Sequence, residues 1–181
     1  MARIATVERA DMNADQARVY DAAKQANSPV GGPYTAYIRL PKVFEACQNL
    51  RITMSSGPLS RREQQIVNLT VARHWNARYP WFAQVRASLT VGIDQPTIDA
   101  INARKDPKLA DARERTCHIV AREILANKGL SDETYAAAEK TMGTDSLVAL
   151  VTTTGSFSMT CITAGTFRVE PPSPNPTPLA E

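Results

Sequence analysis

Ser60 stands three residues ahead of Glu63, and apolar residues follow at Ile66, Leu69, Val71, Ala72 and Trp75. The serine hydroxyl can accept the amide N–H of position 63 while the carboxylate reaches back to the N–H of position 60. Two of the four unpaired donors at a helix start are then satisfied together. With an apolar stripe at helical spacing behind it, this stretch is committed to helix. The one run with strand-like composition, Tyr34 to Pro41, is bracketed by Pro33 and Pro41 and has no partner strand, so it reads as a loop with a short helical turn. The fold class is all-α.

Other start and stop signals fill in the remaining helices. Residues 13–27 hold apolar residues at helical spacing and end at the Ser28–Pro33 break. Pro41 opens a helix at its first position, running to about Thr53. A helix follows Pro80, with Trp81, Val85, Ser88 and Leu89 on its inward face, and closes at Gly92. Asp94 caps a short helix to about Arg104; further helices span 109–128, ended by Gly129, and 132–142, capped by Ser131 and ended by Gly143. The last runs from about Asp145 to Gly165, and its many threonines mean that packing must hold it.

A chain of 181 residues fits a single helical domain over 1–170. The remainder, 171–181, carries prolines at alternate positions from Pro172 to Pro178 and lacks the N–H donors for helix or sheet. It is expected to be an extended, polyproline-like arm, free at its end or laid on a neighbouring subunit. A net charge of +3 gives no electrostatic case for nucleic acid or an anionic membrane, and no apolar run approaches the roughly 18 residues of a membrane helix. The polar N-terminus, with its acidic residues, does not read as a signal peptide, so the expected location is cytoplasmic. Cys47, Cys117 and Cys161 are far apart and odd in number; they form neither a disulfide framework nor Cys-x-x-Cys, and read as small buried thiols. His74 and His118 have no acidic neighbour at ligand spacing, so no metal site is expected.

The segment from Leu59 to Gln84 resembles the carboxymuconolactone decarboxylase family, which includes the AhpD-like proteins. Val71-Ala-Arg-His-Trp75, Tyr79-x-Trp81, Gly92, the Gly32-Pro33 turn with Pro41 and the closing Phe167-Arg-Val169 carry the likeness, which covers Ala2 to about Val169. It implies a helical protomer built around an antiparallel helix pair, assembled into trimers or hexamers with sites near subunit interfaces. AhpD-like members place a glutamate, then Cys-x-x-Cys, then a histidine. Those positions fall here on Gln65, on Ala77 and Pro80, and on Gln84. Both thiols are gone, which removes a peroxidase that needs one thiolate to attack and a second thiol to resolve. Amides do not titrate near neutrality, so Gln65 and Gln84 can only donate and accept hydrogen bonds.

Two functional readings follow. In the first, the chain is a cofactor-free lyase or isomerase acting by proton transfer on a small organic acid or lactone, in keeping with aromatic catabolism. His74 is its acid/base, Tyr79 and Gln84 supply hydrogen bonds, Gln65 with Gln84 reshapes the pocket to orient a neutral or anionic ligand, and Trp81 walls it. Arg39, Arg78 or Arg86 holds a carboxylate. In the second, it is a catalytically silent member kept for ligand binding or assembly. Each residue also has a plain structural role: His74 as a cation at a helix end, Tyr79 and Trp81 as core aromatics, the glutamines as a mutually bonded pair, and His118 at a surface or interface.

Overall fold

Five of the helices begin where a side chain takes up a free amide of the first turn. In the structure, a computed structural model that describes residues 2–180, Asn13 and Gln16 form a capping box at the head of α1 (Ala14–Gln25), and Ser60 and Glu63 form another at α4 (Arg61–His74). Asp94, Asp111 and Ser131 accept the amides of Thr97, Glu114 and Thr134 at the starts of α6 (Gln95–Asn102), α7 (Ala112–Asn127) and α8 (Asp132–Met142). A single turn, α2 (Tyr34–Tyr37), precedes α3 (Pro41–Ser55), which has proline in its first turn. The remaining helices are α5 (Arg78–Thr90) and α9 (Thr144–Thr166). The described residues contain no strand, as the sequence implies.

Helix α4 is the centre, packed against α5, α6, α7 and α9. Ile66, Val67, Leu69 and Val71 are fully enclosed and meet Trp81 and Val85 of α5, Val120 of α7 and Leu150 of α9. A smaller cluster joins α1 to α3 through Val19, Tyr34, Tyr37 and Phe44, with the Tyr34 ring edge-on to both other aromatics. Two ion pairs bind the start of α4 to α7. Arg113 Nε donates to Glu63 Oε1 at 2.6 Å, and Arg62 Nε donates to Glu114 Oε1 at 2.7 Å.

Several expectations need correction. Helix α5 starts at Arg78, two residues before Pro80, because a proline in the first turn lacks only an N–H that has no helical partner anyway. Leu89 lies 46% exposed rather than inward, and Trp75 is the 42% exposed residue after α4 rather than part of its stripe. Helix α7 starts later than position 109, after its Asp111 cap, and it is Lys128, not Gly129, that turns left-handed to end it. Helix α9 is long and apolar enough, by length and composition, to cross a membrane, contrary to the reading that no run reaches that length; here it lies against α4, α5, α7 and α8. The proline-rich tail folds back on its own chain. The Trp81 indole N–H donates to Thr177 O at 3.1 Å, Asn102 exchanges hydrogen bonds with Pro178 O and Ala180 N, and Leu179 packs on the main core.

Glu63 serves both its capping box and the link to Arg113, and it is 4% exposed. Glu63→Ala is expected to lower stability by about 2–3 kcal/mol in urea unfolding, because the capping bond and the charge-assisted bonds to Arg113 are lost together. Ser60→Ala, which removes only the cap, should cost about 1 kcal/mol.

Candidate functional site

Helices α4 and α5 run antiparallel, so residues one turn apart on α4 meet residues one turn apart on α5. Gln65 Oε1 accepts from Ser88 Oγ at 3.4 Å, and Gln84 Oε1 accepts from Asn68 Nδ2 at 3.3 Å. The two glutamines therefore do not bond one another; each bonds a different neighbour across the seam.

These amides form one side of a cavity of about 350 Å³. Tyr34, Cys47 and Arg51 form a second side, and Thr153, Phe157 and Thr160 of α9 a third. Tyr79 reaches in from the start of α5 and lies over the Gly31-Gly32 turn. Gly32 has φ of +62°, and a Cβ there would collide with the Tyr79 ring, so the turn needs glycine for both conformation and space. Arg51 is held by Ser28 Oγ at 2.7 Å and Gln48 Oε1 at 3.4 Å, which fixes a guanidinium at the cavity. Arg61 lies at its rim.

Among the described residues that line this cavity there is no Asp, Glu or His. Burial pushes the Tyr34 phenol up to about 12 and raises the Cys47 thiol, so both keep their protons at neutral pH. The lining can donate and accept hydrogen bonds and hold a negative charge, but it offers no carboxylate or imidazole for proton exchange.

Of the residues singled out in the sequence, Tyr79, Gln65 and Gln84 come together here and the others do not. Trp81 is 1% exposed in the core, where it anchors the tail. Arg39 donates to Ala5 O at 2.8 Å, Arg78 pairs loosely with Glu170 at 3.5 Å, and Arg86 stacks over the Phe82 ring. The arginines of the cavity are instead Arg51 and Arg61, on α3 and at the start of α4. Asn68 was also missed, although it stands one helical turn from Gln65 and so shares its face.

His74 lies in a second cavity, with His118. It is half-buried at the end of α4, and burial with the nearby Arg104 lowers its pKa, so it is not the cationic cap that its position suggests. His118 is 7% exposed rather than superficial. Cys117 and Cys161 are buried as expected, and burial raises both thiols, Cys117 to about 12.

No protein-family model and no curated protein matches the sequence. Solved structures do match over most of the chain. An uncharacterized peroxidase-related protein from Ralstonia eutropha with an alkylhydroperoxidase AhpD core superposes with a TM-score of 0.77, over 95% of this chain and 93% of that one, at 17% identity. The chain has the AhpD-like fold. A peroxidase-related protein from a Silicibacter species shares it with a TM-score of 0.78 at 16% identity, over 99% of this chain and 96% of the other. A protein of unknown function from Agrobacterium tumefaciens, provisionally described as an AhpD antioxidant defence protein, matches with a TM-score of 0.67 at 18% identity, over 76% of this chain and 95% of its own. The AhpD-like fold was legible in the residues from Leu59 to Gln84.

Burial, with the like charge of Arg122, pushes His118 from 6.5 down to about 4. Between those values the unfolded chain binds a proton that the folded chain refuses, so stability falls as pH drops through this window. Urea unfolding from pH 7 to 4 should show a shallower acid loss in His118→Asn than in the wild type.

Proposed function

We propose that the cavity between α3, α4, α5 and α9 binds a small organic acid or lactone, and that the chain is a ligand-binding member of the AhpD-like fold. The observation that carries this reading is the lining itself. A positioned guanidinium, Arg51, shares the cavity with four side-chain amides and two phenols, and no carboxylate or imidazole lines it among the described residues. Arginine presents parallel N–H donors to a carboxylate, and the amides suit a carbonyl or lactone oxygen. Phe157 and the methyl groups of Thr153 and Thr160 give the rest of the ligand an apolar wall.

The second reading is the cofactor-free lyase or isomerase. It is favoured by two phenols, Tyr34 and Tyr79, on one cavity, since a protonated phenol can donate to a developing enolate oxygen. His74 takes no part in it, because it opens on the other cavity. The peroxidase relation in the neighbours' names is not carried over. Ala77 and Pro80 stand at the two thiol positions that the resemblance implies, and the three cysteines present all have raised pKa values.

Calorimetry with benzoate and the neutral benzamide tests the binding reading. Benzoate should bind more tightly, and Arg51→Gln should weaken it about tenfold while leaving benzamide unchanged. The wild type should give no change in γ-carboxymuconolactone absorbance and no thiol-dependent consumption of cumene hydroperoxide. Turnover of the lactone would instead support the lyase.

We also propose that α9 carries the self-association face, in a trimer or hexamer as the family resemblance implies. Val148, Val151, Met159 and Ile162 recur at helical spacing on its outer side and are 41–60% exposed. Met159 also lines the cavity, so a second copy on this stripe would help to close it. Light scattering should give a trimeric or hexameric mass, and Ile162→Glu should shift it to the monomer.

A further inference from the structure

We propose that the cavity between the ends of α4 and α6 and the middle of α7 is a binding site for a phosphate group carried on a small, partly apolar molecule. It encloses about 200 Å³ and is lined by Arg73, Arg104, Lys105 and Arg122, together with His74 and His118. Ile101, Leu125 and Ala126 form its apolar side. No carboxylate lines it among the described residues. It opens on the opposite face of α4 from the organic-acid cavity and shares no lining residue with it.

The structural roles of these cations account for only part of them. Arg73 donates to Asn102 O at the end of α6 and to Asn76 Oδ1, and Arg104 donates to Asn76 Oδ1 at 3.2 Å and to Arg73 O at 3.5 Å. That cross-capping ties the two helix ends together and leaves guanidinium donors over. Lys105 and Arg122 form no ion pair among the described residues. The crowding is felt within the cluster: Arg104 lowers the pKa of Arg73 and His74, in each case after burial. The one carboxylate acting on His118 is Asp106, which is itself bound to Lys108 at 2.8 Å.

His118 adds a requirement of its own. Its Nδ1 lies 2.9 Å from Thr70 Oγ1, and that hydroxyl spends its only hydrogen on Ile66 O at 2.7 Å. Thr70 can therefore only accept, so Nδ1 carries the ring hydrogen and Nε2 presents a bare lone pair. That Nε2 is buried and has no partner. The site thus asks for negative oxygens to meet its cations and, from the same group, one O–H to meet Nε2. A phosphate monoester in its monoanionic form, which dominates below its second ionisation near 6 and is still ~10% populated at pH 7, offers both, whereas an ionised carboxylate offers no hydrogen.

Calorimetry at matched ionic strength with inorganic phosphate, phenyl phosphate and benzoate tests the proposal on wild type and on Lys105→Ala/Arg122→Ala, two exposed positions whose loss leaves the core intact. Phenyl phosphate should bind more tightly than inorganic phosphate, and the double variant should weaken both by about tenfold or more without changing benzoate. In nitrogen-15 spectra the His118 Nε2 signal should move from the lone-pair range toward the hydrogen-bonded range as phenyl phosphate is added. The proposal is overturned if phosphate acts no differently from chloride, if the double variant binds phenyl phosphate as the wild type does, or if benzoate responds equally to the double substitution. An unmoved Nε2 signal in the presence of bound phosphate would also overturn it.

Discussion

Helix α4 is walled in by four other helices, and a helix so placed must satisfy its polar side chains inside the protein or lose the burial that holds it there. At its start, Glu63 closes a capping box and takes both a bond and a charge from Arg113, while Arg62 pairs with Glu114. At its end, Arg73 and Arg104 exchange the last carbonyls of α4 and α6. Between these ends the polar positions are few, and each faces a defined neighbour: Gln65 with Ser88, Asn68 with Gln84, Thr70 with His118. The two cavities open beside these polar positions, Gln65 and Asn68 on one and Thr70 on the other.

The helical plan could be read from local chemistry. Ser60 with Glu63, Asp94 and Ser131 each mark a start through a bond spanning three residues, and the structure keeps all of them. What escaped local reading was set by distant contacts. A Pro-rich tail gives no sign of its own that Thr177 O will meet the Trp81 indole, a contact 96 residues apart. Leu89 looks inward by composition, but only the position of its neighbours decides which stripe of α5 is covered.

The site was partly legible for the same reason. Gln65, Tyr79 and Gln84 were found because they lie on the helix pair that carries the resemblance. Arg51, Tyr34 and Cys47 come from a segment whose own spacing says nothing of that pair. His74 was drawn to the site by nearness in sequence, and simple periodicity argues against it. Nine residues at roughly 100° each place it about half a turn from Gln65, on the far side of α4. The same arithmetic puts Asn68 beside Gln65.

The two cavities divide the chemistry of the chain between them. One gathers amides, phenols and a fixed guanidinium; the other gathers four cations and both histidines. In the first, the side-chain amides donate and accept hydrogen bonds without titrating near neutrality. In the second, a buried imidazole stays neutral among like charges, so any anion entering there changes the balance that holds its proton off. Both histidines thus lie on the opposite face of the central helix from its amide-lined cavity.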